Sequence, residues 1–246
     1  MSTRLFTSAA RLLAAFVPVG AKAGVFVLPF TVGTAIPDGD RSGMIDVRTV
    51  SVPETRILDV DVTLNIHAAG DGAFNGDLYA YLEHDSGISI LLNRPGSRDA
   101  DPYGYADSGL GEVTLDDEAS SGDIHEYRLT VTGGHGVPLP LGADLSLGSW
   151  LPDARHVDPE QVRDTSARNA PLAAFDGLDP NGTWTLFVAD VSVGGTVVLD
   201  SWTLQITAVP EPALLGYLAG LGLLGVASVR RAIERGSKSR PESRSR

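Results

Sequence analysis

The chain has 246 residues, a formal net charge of −12, 28 glycines, 15 prolines and no cysteine. Without cysteine, a disulfide framework, a thiolate nucleophile and a cysteine metal site are all excluded. The acidity is concentrated in the middle: residues 24–208 carry 9 basic and 28 acidic side chains, a net of −19. Such a body repels nucleic acid and anionic lipid, so neither is an expected partner of it.

The N-terminus reads as an export signal. Arg4 and Arg11 precede the apolar run Leu12–Val19, and Ala21-Lys22-Ala23 fits the small-x-small cleavage pattern before Gly24. A charged region, an apolar region and a small-residue cleavage site are the parts of a secretory signal peptide. Pro18 argues against a long continuous helix here. Residues 1–23 are therefore set aside as signal peptide, with Ala21 and Ala23 marking cleavage.

Residues 24–208 are one domain by length and read as strands. From Ile57 to His67 the chain alternates. Leu58, Val60, Val62, Leu64 and Ile66 are expected on one face, and Asp59, Asp61, Thr63, Asn65 and His67 on the other, because successive strand side chains leave opposite faces. Leu78, Ala80 and Leu82 repeat the pattern, as do Trp184, Leu186 and Val188, and then Trp202, Leu204 and Ile206. Weaker strands are expected near Met44–Val50, Ile88–Leu92, Glu112–Leu115 and Tyr127–Val131. Gly, Asn and Asp clusters separate them, among them Asn75-Gly76-Asp77, Gly133-Gly134 and Gly194-Gly195. No long amphipathic helix is expected; Asp158–Arg168 is read as a helical turn or two, with Pro159 at its first position. The long segment 133–180 is docked through Trp150-Leu151-Pro152. The sum is an all-β domain, a sandwich or barrel.

The two tryptophans in phase with apolar neighbours, Trp184 and Trp202, are read as core rather than as carbohydrate platforms. Asn181-Gly182-Thr183 matches a glycosylation sequon but is read as a turn. Tyr79 and Tyr81 face opposite Leu78, Ala80 and Leu82. Tyr103-Gly104-Tyr105 lies in a loop. Exposed tyrosines suit glycan or protein contact, and a covering sheet would equally explain the first pair.

Calcium is the cofactor the acidic loops point to, because a hard cation wants several oxygens on a turn. Asp71, Asn75 and Asp77 form one candidate set; Asp116 and Asp117, beside Glu118, form a second. The competing reading is Asn and Asp serving as turn residues. Catalytic motifs are absent from the sequence: there is no Gly-x-Ser-x-Gly elbow, and His125-Glu126 is not continued to His-Glu-x-x-His.

Several segments taken together resemble a known family. They are Ile36-Pro37-Asp38-Gly39-Asp40, the strand ending at His67, Gly76-Asp77-Leu78, Leu91 to Gly96, Leu115 to Ala119, Leu172 to Gly177, Asn181-Gly182-Thr183-Trp184 and Ser201-Trp202. They look like the P domain (P/Homo B domain) of proprotein convertases and subtilisin-like proteases, over roughly residues 30–207. The resemblance implies a jelly-roll β-sandwich of about eight strands. In that family the domain follows and stabilises a catalytic domain. This chain departs from the family at His67-Ala68 and in the longer insert 69–75.

The C-terminus reads as a membrane signal. Val209-Pro210-Glu211-Pro212 is followed by an uncharged, mostly apolar span, residues 213–229, then Arg230-Arg231 and a basic tail. The span is long enough for a short transmembrane helix. The arginines are expected to stay cytoplasmic, with residues 236–246 as cytoplasmic tail. Gly216 and Gly220 form a G-x-x-x-G pair. Val209, Pro210, Glu211, Pro212, Arg230 and Arg231 resemble a PEP-CTERM sorting signal over residues 209–235. That resemblance implies an exosortase-type transpeptidase as partner, a Gram-negative-type bacterium and delivery to the cell surface; the plainer reading is a permanent anchor.

The expectation is thus an exported, surface-sorted, non-catalytic P-domain-like sandwich, a binding or structural module of the extracellular polysaccharide matrix. The alternatives are an accessory domain that stabilises or targets a separate secreted subtilisin-like serine protease, and a peptidase in its own right.

Overall fold

The computed structural model describes residues 22–69, 72–140, 145–146 and 148–210. The described residues form nine strands in two sheets: β1 (Gly24–Ile36), β2 (Met44–Val50), β3 (Arg56–Ala69), β4 (Leu78–His84), β5 (Gly87–Asn93), β6 (Gly111–Leu115), β7 (Ser149–Trp150), β8 (Gly182–Asp190) and β9 (Thr196–Val209). One sheet has the order β1-β9-β3-β6-β7, the other β2-β8-β4-β5. All pairings are antiparallel except β6 with β7. The domain is all-β, and its two sheets close on one core. Val60, Val62, Leu64 and Ile66 from the first sheet and Leu78, Ala80, Leu82, Leu186 and Val188 from the second belong to a single buried cluster.

Alternation decides which side chains enter that cluster. Trp184 and Trp202, in phase with their apolar neighbours, are 0 % and 1 % exposed. Each still needs a partner for its indole N–H. Trp184 donates to the Pro180 carbonyl at 3.0 Å, and Trp202 to Asp46 Oδ2 at 2.6 Å. β3 follows the expected alternation from Val60 onward. Its start does not: Leu58 is exposed and Ile57 is buried instead. The register against β9 shifts between Ile57 and Asp59, and a one-residue irregularity of that kind flips the phase.

Two elements differ from the sequence reading. β1 is absent from the expected strands because GVFVLPFTVGTAI shows no alternation of polarity. In place, Phe26, Leu28, Phe30 and Val32 pack on the core while Val25 and Val27 face solvent. Pro29 is tolerated because β1 is an edge strand. The second difference is a correction. The segment 127–131 is not a strand but part of a short helix, α1 (Tyr127–Thr132). The alternation of Tyr127, Leu129 and Val131 mimics a strand, yet the end signals are helical. Asp123 caps a 3-10 turn, Ile124–Glu126, that leads straight into the helix, its Oδ1 accepting from the His125 N–H, and Gly133 closes the helix in the left-handed region at φ 78°. Tyr127 and Arg128 turn inward while Leu129 and Val131 are exposed.

The long segment after α1 is bound down. Trp150 is buried, and its indole donates to the Leu145 carbonyl at 3.0 Å. Farther on, the chain runs along the free edge of β5. The Asp153 N–H donates to Leu91 O, the Ala154 N–H to Ile90 O and the Ile90 N–H to Ala170 O. The edge is thereby covered, which removes a template for aggregation. Asp158–Arg168 forms turns rather than a helix; the carbonyl of Asp158 accepts from the N–H groups of Gln161 and Val162. Among the described residues no helix is long and apolar enough to cross a membrane.

Candidate functional site

The two sheets present different outer faces. On the β1-β9-β3-β6-β7 sheet the central strands are polar outside. Asp59, Asp61, Thr63 and Asn65 stand beside Gln205 and Thr203 of β9 and Glu112 and Thr114 of β6. Asp61 accepts from the Gln205 side chain, and the Thr63 and Thr114 hydroxyls meet at 2.9 Å. The carboxylates here repel each other. Burial, then Asp59 and Asp116, push Asp61 up to about 6. Burial first, then Asp116 and Asp117, also raises Asp59. Glu118 and Asp176 rise too, each mainly by burial with added repulsion from this group.

On the β2-β8-β4-β5 sheet the outer face is aromatic. Phe187 lies out of phase with Trp184, Leu186 and Val188, so it points outward. Tyr81 stacks on it with ring centroids 4.8 Å apart and planes at 15°; Tyr79 meets it edge-on at 6.1 Å. Ile45 of β2 is the register partner of Phe187, and Phe187 of Tyr81, so the three lie in one row across the sheet. Ile45 and its neighbour Val47 are 60 % and 55 % exposed. Tyr79 and Tyr81 are half-buried by each other and by Phe187, not by the second sheet. This row is the candidate functional surface. Flat aromatic faces with a phenol at the rim accept sugar rings or apolar side chains and hydrogen-bond at the edge.

The sequence-chosen carboxylates that are described fall elsewhere. Asp71 lies outside the described residues. The Asn75 amide donates to the Gly109 carbonyl and to Tyr127 Oη, both at 3.1 Å, while Asp77 accepts from Arg94 Nη2 at 3.1 Å. Asn75 and Asp77 thus serve different partners. In the second set, Asp116 accepts from the Glu118 N–H at 2.7 Å and the Ser149 hydroxyl at 2.9 Å, and Asp117 accepts from the Ala173 N–H at 2.6 Å. These are turn-forming and loop-pinning roles. Among the described residues no group of three or more His, Asp or Glu side chains is arranged to hold a metal ion. Val209 is the last residue of β9, paired with Arg56, and Pro210 follows it. Ala23 immediately precedes β1. Ala21, Glu211, Pro212, Arg230, Arg231 and the apolar span 213–229 lie outside the described residues.

Four of the five histidines, His67, His84, His125 and His135, have side-chain hydrogen bonds. His67 pairs with Asp200, and His135 bonds the Tyr105 phenol at 2.6 Å. His84 stacks on Trp184 and lies between the Thr183 and Asp179 carbonyls. His125 is fully buried, with Nδ1 2.7 Å from Asp153 Oδ2 and Nε2 2.8 Å from the Ser97 carbonyl. Both contacts of His125 are to acceptors, so both ring nitrogens carry protons there. Burial pulls its pKa down, but Asp153 more than offsets this and leaves it raised. These bonds run to carboxylates, carbonyls and a phenol, not to a serine or threonine hydroxyl.

No family model matches this chain, and no curated protein matches it. Among solved structures it is similar to a chain of the complex between the Aeromonas sobria serine protease and its chaperone (17 % identity, TM-score 0.40, covering 77 % of this chain and 28 % of that one). It is also similar to the serine protease of Aeromonas sobria (17 % identity, TM-score 0.39, covering 80 % and 29 %). The chain spans less than a third of the length of either structure.

Proposed function

We propose that this chain is an exported, non-catalytic binding module of the extracellular polysaccharide matrix, built as a P-domain-like jelly roll. In this reading residues 1–23 are removed on export. The tail from Val209 is handled by an exosortase-type enzyme at the outer side of the membrane, and the domain is left at the cell surface. The observation that supports a binding role is the outer-face row in which the 60 % exposed Ile45 and the half-buried Tyr81, with Tyr79 at its side, flank Phe187, itself only 9 % exposed beneath them. A row of aromatic and apolar side chains fixed on three hydrogen-bonded strands offers contact area at little entropic cost.

Co-sedimentation tests the reading. The protein recovered from its own cells is expected to pellet with the exported polysaccharide, and Tyr81→Ala to release it. Recovery instead with a secreted serine protease, whose lifetime it lengthens, would replace the matrix by the protease as partner. Intact mass of the same sample reads both processing sites; an unprocessed C-terminus would remove the sorting step.

A further inference from the structure

The outer face that carries the aromatic row is not uniformly apolar. Beside the row Ile45, Phe187 and Tyr81 runs a second, Val47 of β2, Thr185 of β8 and Glu83 of β4, aligned by the same register. Val47 and Glu83 are exposed and Thr185 is half-buried. Glu83 follows Tyr81 by two residues, so it stands on the same face, about 7 Å farther along β4. Among the described residues no hydrogen bond or ion pair holds the Glu83 carboxylate or the Tyr79 and Tyr81 phenols. Burial, then Glu83, raise Tyr81, and burial, then Tyr81 and Asp158, raise Tyr79. Both phenols therefore stay protonated at neutral pH and can donate as well as accept.

The other margin of the row is closed by a clasp. Arg41 Nη2 donates to Asp158 Oδ1 at 2.8 Å and its Nη1 to Glu160 Oε1 at 3.1 Å. This ties the turn before β2 to the segment that covers β5. Gly43 in that turn has φ 53°, and an added Cβ would lie 2.4 Å from the Val188 carbonyl oxygen and 2.8 Å from Phe187 Cζ. The turn thus packs directly against the Phe187 ring and fixes it. The charged groups placed at the margins are Glu83, Asp158, Glu160 and Arg41, and the guanidinium is already shared between two carboxylates. A sugar carboxylate or sulfate laid along the row would face Glu83 without a cation to offset the repulsion.

A sugar ring has an apolar C–H face and a rim of hydroxyls. The surface matches both: Phe187 and Tyr81, edged by Ile45 and Val47, supply an apolar floor, while Glu83, Thr185 and the two phenols supply donors and acceptors beside it. From Ile45 to Tyr81 is two strand spacings, roughly 10 Å, room for about two rings. We infer that this face takes an uncharged glycan strand, and that Glu83 is the specificity-determining residue, accepting from sugar hydroxyls and turning anionic sugars away; the inference rests on the matrix reading above. An apolar side chain of a protein would cover the floor but leave Glu83 and both phenols unmatched. A polycationic glycan would require a carboxylate for each amino group, and the row offers Glu83 alone.

The test uses the polysaccharide exported by the protein's own cells, in two forms: as isolated, and with its primary hydroxyls oxidised to carboxylates. Depletion of the full chain, in zwitterionic detergent, from the supernatant gives the affinity for each. The isolated form is expected to bind equally at low salt and at about 0.5 M salt, because no ion pair carries the contact. The oxidised form is expected to bind about tenfold more weakly at low salt. Glu83→Gln, an exposed substitution that keeps an acceptor oxygen, is expected to reduce that penalty to about threefold or less and to hold the isolated form within about threefold of the parent. Asp61→Asn removes the same charge from the far face and is expected to leave the penalty in place. Equal binding of the oxidised form, a penalty unchanged in Glu83→Gln or equally relieved in Asp61→Asn, or a bound natural polymer rich in uronate would overturn the inference while the matrix reading stands. No depletion by the isolated form would overturn both.

Discussion

The outer faces of the two sheets share one backbone logic and opposite chemistry. Both continue strands whose inner faces fill the same core. On one, β3 and β9 send out Asp59, Asp61, Thr63 and Gln205; on the other, β4 and β8 send out Tyr79, Tyr81 and Phe187. A face of carboxylates and hydroxyls is satisfied by water, and its cost is the partial burial of those carboxylates, with mutual repulsion added, which raises Asp59 and Asp61. A face of stacked aromatics gains from being covered. The difference is what the proposed binding role on the second sheet rests on.

The largest expected effect strikes what supports the aromatic face. The segment that closes the β5 edge is tied down by Asp153, which accepts from the Asn93 N–H at 3.1 Å and meets His125 and Arg155. Asp153→Ala leaves His125 and Arg155 as buried cations short of a partner and is expected to cost about 3–5 kcal/mol. Thermal unfolding checks this; a shift no larger than that of a surface substitution would show the segment to be a passenger. The same pair predicts a pH effect. The His125 pKa is raised on folding, so its contribution is full below the unfolded value of about 6.5 and is lost as pH rises through the folded value. Melts across that range should show a decline that is absent in Asp153→Asn.

Next comes the aromatic face itself. Tyr81→Ala is expected to weaken polysaccharide binding about tenfold while changing stability by about 1 kcal/mol, since the ring lies on the outer face and outside the core cluster. Unchanged binding with lost stability would make the row structural.

The smallest effect belongs to the polar face. Asp61 is raised to about 6 in the fold, so the folded state holds its proton more tightly than the unfolded chain. Stability is therefore lost as pH rises from about 4 through about 6, and Asp61→Asn is expected to be slightly stabilising at neutral pH, by less than about 1 kcal/mol. A destabilised Asp61→Asn would mean that its bond to Gln205 outweighs the repulsion.

The legibility of these features in the sequence varied for physical reasons. Alternation in β8 and β9 placed Trp184 and Trp202 inside, because Thr183 and Thr185, and Ser201 and Thr203, mark the opposite face around each tryptophan. β1 escaped because both its faces are apolar, and Leu58 was misplaced because a register shift is silent in composition. Tyr127–Val131 was misread because its alternation of strand-forming residues outweighed Asp123 and Gly133, whose end signals were there to be seen. The outward setting of Phe187 was legible too, since it breaks phase with Leu186 and Val188. The meeting of Arg94, Asp77 and Ser192 was not: it joins segments distant in the chain, and no local pattern announces it. For Asn75 and Asp77 the turn chemistry was legible and the partners were not.

One comparison weighs most on the account: polysaccharide co-sedimentation of the full chain beside Tyr81→Ala and Asp61→Asn, with melting curves for all three. The account predicts that the parent and Asp61→Asn pellet alike, that Tyr81→Ala stays in solution, and that all three melt as folded proteins. Equal pelleting of Tyr81→Ala, or loss of pelleting in Asp61→Asn, would contradict it.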